Sequence, residues 1–95
     1  MKRLTLLLSL CLLTISINAK IEIKKLEPTT WYVGMKDASL QLMAYGDNIR
    51  NAEVSINYPN ARIDSLVRLD SPNYLLIYLN LKDAQAGTMN IDFKL

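Results

Sequence analysis

The fold of this chain is decided by the stretch Glu27-Pro28-Thr29-Thr30-Trp31-Tyr32-Val33-Gly34-Met35-Lys36. Pro28 fixes its own φ and pushes the residue before it towards an extended conformation, so a strand that arrives from the N-terminal side should end there. Gly34 permits a bend that a β-carbon would resist. Between these two stand Tyr32 and Trp31, the only tryptophan of the chain. The stretch therefore predicts a stiff, non-helical connector that holds two large rings.

The two rings of this connector allow two interpretations. In the first, Trp31 plugs one end of a β core and Tyr32 covers its rim, because aromatic side chains bury large areas wherever they can. In the second, one ring offers a stacking face to a flat ligand or to a partner. The residues alone leave both interpretations open.

On both sides of the connector, apolar and polar residues alternate with a period of two, which is typical of half-buried strands. The predicted strands are Lys20–Lys24, Ser39–Tyr45, Glu53–Tyr58, Ala61–Leu69, Tyr74–Leu81 and Thr88–Leu95. Turn clusters such as Gly46-Asp47-Asn48 and Asp70-Ser71-Pro72-Asn73 separate them. Six short strands without a convincing helical period predict an all-β fold, an antiparallel immunoglobulin-like β-sandwich.

For three of these strands the sequence also predicts which residues are buried or where the strand is irregular. In Ser39–Tyr45, alternate residues should face the core and leave Tyr45 on the opposite face. In Ala61–Leu69, Leu66 is out of phase with its apolar neighbours and predicts a bulge. Tyr74–Leu81 is apolar on both faces, which favours a central strand that is buried on both sides.

The first residues have the pattern of a secretory signal. A basic head, Met1-Lys2-Arg3, precedes the apolar run Leu4–Ile17, and the small residue Ala19 comes before a charged segment. The apolar run is short for a membrane span, which needs about 20 residues. We therefore expect residues 1–19 to be a signal peptide that is cleaved after Ala19 and does not count in the fold. The mature chain should be secreted, to the periplasm, with no membrane contact.

Cys11 offers an alternative, in which it is the acylated first residue of a lipoprotein. A lipoprotein cleavage site has a small residue directly before the cysteine, whereas Leu10 is large. Cleavage there would also divide the apolar segment into two halves. If the signal is instead cleaved after Ala19, the chain that remains has no cysteine, hence neither disulfides nor thiol chemistry.

The mature part, Lys20–Leu95, is a single domain of 76 residues with balanced charge. Of the eleven Lys and Arg residues, Lys2 and Arg3 leave with the signal, so nine basic residues face nine acidic ones. The basic excess of the full chain is therefore no argument for nucleic acid. A domain of this size has little core to spare.

The residue types also exclude the common forms of catalysis. The chain has no histidine, which removes the commonest general base and the commonest metal ligand together. Its carboxylates are scattered singly along strands and turns, whereas glycosidases need two that flank one bond in a cleft. We expect no catalytic residue, no metal and no cofactor.

Four segments together resemble the N-terminal domain of Bacteroides-type neopullulanases and cyclomaltodextrinases. These are the connector Glu27–Lys36, Ser39–Gly46, Ser71–Leu79 and Ala86–Phe93. The most specific piece is the aromatic pair followed by Val33-Gly34-Met35. Tyr32 departs from the pattern, since many relatives carry a second tryptophan there.

The resemblance implies a starch-active hydrolase of the alpha-amylase type, whose catalytic carboxylates lie on a (β/α)₈ barrel that follows this domain. These 95 residues contain no such barrel, so none of the family's catalytic residues carries over. The resemblance further implies an accessory role, with contacts to the barrel and to a second subunit, and contact with an α-glucan. If a glucan stacks on this domain, we expect it on Trp31 and Tyr32, and next on Tyr45, because Tyr45 falls on the outward face of its strand. The alternative is a free-standing secreted immunoglobulin-like domain that binds a partner.

The last strand is still alternating at Leu95, with no turn after it. A sandwich of this type commonly has one more strand beside such a segment, and the family resembled here continues through one. We therefore expect a truncated domain in which Thr88–Leu95 lacks a neighbour. Unpaired edges promote association with other chains, so Lys20–Leu95 alone should be marginally stable and should be rescued by the next strand.

We predict that the mature protein begins at Lys20, because Ala19 ends the apolar run and a charged segment follows it. N-terminal sequencing of protein recovered from the periplasm measures this directly. A lipid-modified product that begins at Cys11 would contradict the prediction.

Overall fold

A computed structural model describes residues 12–19 and 22–94 of the protein. In that part the regular structure consists of strands and one short 3₁₀ helix, Ile49–Asn51. The strands are β1 (Leu12–Ala19), β2 (Ile23–Glu27), β3 (Thr30–Tyr32), β4 (Ser39–Gly46), β5 (Glu53–Ile56), β6 (Arg62–Arg68), β7 (Tyr74–Asn80) and β8 (Gly87–Lys94). They form two four-stranded sheets, in the orders β3-β1-β8-β5 and β2-β4-β7-β6. The two sheets make a β-sandwich, which confirms the predicted fold class.

The core lies between the sheets and is built from the alternate apolar residues of their strands. Leu42 and Ile77 from one sheet and Met89 and Ile91 from the other are all 0% exposed. Burial of each such side chain contributes about 1.5–3 kcal/mol. Among the described residues, no polar or charged residue is buried in this core.

Two of the finer expectations from the sequence are confirmed. On β4 the buried residues alternate with the outward ones, and Tyr45 lies on the side away from the core. On β6 the register against β7 shifts between Ile63 and Ser65. This bulge turns Leu66 inward, where it packs against the core.

Strand β7 is central, as predicted, because β4 and β6 flank it. It is not buried on both sides. Leu75, Ile77 and Leu79 are at most 1% exposed, whereas the alternate residues Tyr74 and Leu76 are only half-buried. The expectation of double burial is wrong for this chain, because nothing in the described residues covers the outer side of this sheet.

Strand β1 adds a parallel strand pair that the sequence does not predict. It runs parallel to β8, from Leu13 opposite Gly87 onwards, and antiparallel to β3. In the uncleaved chain residues 12–19 thus pair within one sheet, and the pair of β1 with β8 is parallel. The physical reason lies in the sequence: the apolar Leu13 and Ile15 alternate with Thr14 and Ser16, a pattern that suits a strand as well as a signal. Cleavage after Ala19 stays a prediction, and Cys11 lies outside the described residues.

In the uncleaved chain β1 and β5 flank β8 on its two sides. The unpaired edge expected for Thr88–Leu95 concerns Lys20–Leu95 without β1, and it stays a prediction. The first predicted strand begins later than expected, at Ile23, and Ile21 lies outside the described residues. This strand ends at Glu27, directly before Pro28, as the connector predicts.

Two neighbouring leucines of β7 offer a matched test of this packing. We predict that Leu75→Ala lowers the free energy of unfolding by about 2–5 kcal/mol, because it leaves a cavity in the core. Leu76→Ala should cost less than about 1 kcal/mol, because Leu76 faces outward and is half-buried. Urea unfolding of the two variants measures both values. Equal losses would mean that the outer side of the sheet is covered in this chain.

Candidate functional site

The predicted pair Trp31 and Tyr32 lies on β3, at the edge of its sheet. Trp31 is paired with the buried Leu13, so it faces the core side, and it packs half-buried against the core. Tyr32 alternates to the other side and is 49% exposed. Their ring centroids are 6.4 Å apart, with the planes inclined by 56°. The positions match the first interpretation, a core plug beside a rim residue.

Tyr45, the third predicted site residue, does not join this pair. It faces outward from the other sheet, where its ring centroid lies 4.8 Å from that of Tyr74 with the planes inclined by 44°. Tyr32 and Tyr45 thus look out from opposite sides of the sandwich. The structure brings Trp31 and Tyr32 together but makes no single platform of the three rings.

The neighbours of Tyr45 form a continuous apolar surface on the outside of the β2-β4-β7-β6 sheet. Its six residues are half-buried except for Val67, which is 38% exposed. We call this surface the outer aromatic face; its residues are Met43, Tyr45, Val67, Tyr74, Leu76 and Tyr78.

The strand register explains why these residues are adjacent. Tyr45 is paired with Tyr74, and Met43 with Leu76. Leu76 is paired in turn with Val67 on the other side of β7. Directly opposed residues of adjacent strands lie on the same side of a sheet, with Cβ atoms about 5 Å apart. Three neighbouring strands therefore contribute to one uninterrupted patch.

Charged and polar residues border the outer aromatic face. On β2, Lys25 and Glu27 form an ion pair with 3.2 Å between the ammonium nitrogen and the carboxylate, and they are paired with Tyr45 and Met43. On β6, Ser65 is opposite Tyr78. An apolar centre with a polar rim is the usual anatomy of a protein–protein interface.

Alternation along Ser39–Tyr45 predicts two residues of this face, Met43 and Tyr45, and the other four are not predicted. For Tyr74, Leu76 and Tyr78 the sequence predicts a doubly buried strand instead. The signal that could identify them is the apolar run itself, because a central strand that is apolar at nearly every position needs a cover on both sides.

Shallow polar concavities lie at the end of the sandwich that carries the β5–β6 and β7–β8 loops. The hydroxyl of Tyr58 donates to the Gln85 carbonyl oxygen at 2.6 Å, and the side-chain amide of Asn60 donates to the Asp83 carbonyl oxygen at 3.1 Å. These bonds tie the two loops to each other. The polar groups that line the concavities thus hold the loops in place, and we assign them no ligand.

The shifted pKa values concern exposed groups that keep their charge. Hydrogen bonds from the hydroxyl and the backbone N–H of Ser39, at 2.6 and 3.0 Å, lower the pKa of Asp37. The Asp47 carboxylate, 3.3 Å from the ammonium nitrogen of Lys24, raises the pKa of that lysine. Both shifts favour the charged forms, so neither group is poised to exchange a proton near neutral pH.

Two further kinds of site find no support within residues 12–19 and 22–94. No group of three or more acidic, histidine or cysteine side chains there could hold a metal ion. No helix in the same range is long and apolar enough to cross a membrane.

Two four-stranded sheets packed around one apolar core define a small immunoglobulin-like β-sandwich domain. The particular family is also clear. The sequence model of the family described as "Cyclomaltodextrinase, N-terminal" matches residues 25–95, and the chain belongs to this family. The match confirms the resemblance seen in the sequence, and it begins after β1. The domain is accordingly a non-catalytic accessory domain of an alpha-amylase-family enzyme.

We predict that Trp31→Ala harms the fold more than it harms any affinity for glucan. The indole packs against the core, so its loss should cost about 3 kcal/mol, the low end of the range for truncated core aromatics. Tyr32→Ala is the control and should cost less than about 1 kcal/mol, because the ring is exposed. Thermal melts and titrations with maltoheptaose measure both effects. An unchanged melt of the Trp31 variant with lost binding would contradict the prediction.

Proposed function

We propose that this chain is the accessory module of a secreted, periplasmic starch-degrading glycoside hydrolase of the neopullulanase or cyclomaltodextrinase type. Its outer aromatic face contacts another protein surface of the same enzyme, on the catalytic barrel or on a second subunit. The family match supports the enzyme class. The observation that carries the contact is the half-buried outer side of the central strand β7.

The chemistry of the face favours a protein over a glucan as its occupant. Val67, Met43 and Leu76 stand among the tyrosines, and such aliphatic side chains offer a sugar no hydrogen bonds. Tyr45 and Tyr74 are inclined to each other by 44°, so they do not make one flat platform. Small-molecule sites need a few convergent polar groups, whereas protein interfaces take apolar centres enriched in Tyr and Met.

The expected binding free energies and buried areas also favour a protein as the occupant of the outer aromatic face. A sugar stacked on one exposed ring gains about 1 kcal/mol, so one or two such contacts bind only in the millimolar range. A stable protein interface buries roughly 800 Å² on each partner. Six adjacent side chains on three strands supply the apolar centre of such a contact, and the rim around Lys25 and Glu27 supplies its border.

Glucan contact is the second candidate function, and one observation favours it. Tyr32 is 49% exposed and Met35 is 47% exposed, on the connector that also holds Trp31. This small apolar surface is separate from the outer aromatic face. It provides one available ring, which is enough for a weak secondary contact with an α-glucan chain.

We predict that Leu76→Lys has different effects in two settings. In the 95-residue chain it should change the free energy of unfolding by less than about 1 kcal/mol, because Leu76 there faces water. In the enzyme as its own gene expresses it, the lysine would be buried in the contact. We expect a loss of more than about 2 kcal/mol or separation of the subunits, because an unpaired buried charge is costly.

Calorimetry and native mass measurements on both proteins provide the comparison. Ser55→Lys is the matched control, since Ser55 is exposed on the other sheet and should tolerate lysine in both settings. A neutral Leu76→Lys in the expressed enzyme would contradict the proposed contact. An expressed product without a catalytic barrel would favour the alternative, a free-standing secreted domain that uses this face for another partner.

A further inference from the structure

Strand β1 occupies an unusual position in its sheet. It is the first described segment of the chain, yet it lies inside the sheet, with β3 on one side and β8 on the other. It is joined to the other described strands only at its C-terminal end. Cleavage after Ala19 would therefore separate a whole internal strand from the chain, while the polypeptide from β2 to β8 would stay intact.

The contacts of β1 are those of a core strand. Seven residue pairs join it to β8, and three join it to β3. Leu13 is 0% and Ile15 is 4% exposed, and both belong to the core cluster. Ile15 also donates its backbone N–H to the Thr29 carbonyl oxygen at 2.8 Å. This segment fills part of the core as well as one row of the sheet.

The same segment is the one that the sequence marks for removal. Its apolar residues complete the run of a secretory signal that ends at Ala19. Without residues 12–19, β8 would lose its neighbour over most of its length, and two pockets would open where Leu13 and Ile15 had been. The edge of β8 would then be long and unpaired, with an apolar cavity beside it. Such an edge is a template for pairing with another strand.

We propose that the space between β3 and β8 is an acceptor groove for an extended strand. Residues 12–19 fill it in cis while they remain attached, and after cleavage it accepts an equivalent strand of another polypeptide. This inference goes beyond the proposed function and concerns the sheet opposite the outer aromatic face.

The strand seated in the groove defines the chemistry of its occupant. Two positions, those of Leu13 and Ile15, must be aliphatic because their side chains are buried. The position between them is exposed and holds Thr14, so it tolerates polar side chains. The bordering positions Thr88 and Asn90 of β8 are uncharged. The groove therefore selects an extended, neutral strand with aliphatic residues at two alternate positions, parallel to β8.

The test starts from the full chain, expressed without export, with a protease recognition sequence inserted between Ala19 and Glu22. After cleavage the N-terminal piece should remain bound and co-elute with the rest of the chain on gel filtration. The piece is then removed in mild denaturant and the remainder is returned to buffer. The probe is a fluorescent synthetic peptide of sequence Leu-Leu-Thr-Ile-Ser-Ile-Asn-Ala, which corresponds to residues 12–19.

Two variant peptides make the measurement specific. A peptide with Leu13→Asp and Ile15→Asp should bind at least about tenfold more weakly, because both charges would enter the core. A peptide with Thr14→Lys should bind within about threefold of the original, because position 14 faces water. Fluorescence anisotropy gives the affinities, and hydrogen exchange shows whether the Met89 and Ile91 amides regain protection.

Each outcome of this experiment bears on the proposal. Binding of the original peptide with restored protection supports it, whether the remainder was folded or unfolded before the peptide was added. The proposal is overturned if the remainder keeps its melting temperature and takes up no peptide. It is equally overturned if an unfolded remainder is not restored by the peptide, or if the Asp-substituted peptide binds as well as the original.

Discussion

The pairing of β4 with β7 is the interaction on which the rest of the structure depends. Seven consecutive residue pairs join the two strands, and β2 and β6 add to their outer edges. The inward residues of both strands, such as Leu42 and Ile77, are fully buried and form one half of the core. Without this ladder the second sheet would have no apolar surface to pack on, and a domain this small could not stay folded.

The sequence predicted most of what is local in this fold. Alternation predicts β4, β5, β6 and β8, and a run of apolar β-forming residues predicts β7. The out-of-phase Leu66 predicts the bulge in β6, because side-chain period and strand pleat are directly linked. The membership of β1 in the sheet could not be predicted in this way. The residues from Leu13 to Ile17 suit a signal as well as a strand, and their place in the sheet depends on a partner far along the chain, β8.

In the candidate site too, features that depend on neighbouring residues in the sequence are predictable, whereas features that depend on the pairing of distant strands are not. Alternation placed Tyr45 on the outside of its strand, but the outer aromatic face depends on register. Tyr74 and Val67 join it because β7 pairs with two strands at once. Trp31 and Tyr32 are adjacent in sequence, yet alternation on a short strand sends one towards the core and the other to the solvent. Neighbouring rings in a sequence therefore need not share a surface.

The parallel pairing of β1 with β8 also determines when during synthesis this domain can be completed. Ser16 and Asn90, whose side chains are hydrogen-bonded across the two strands, are separated by 74 positions. The ribosome adds residues one at a time, so β1 meets β8 only after the chain has been made as far as Lys94. Contacts of such long range form slowly. Until β8 has been made, the pairing of β1 in its sheet is thus limited to the short β3.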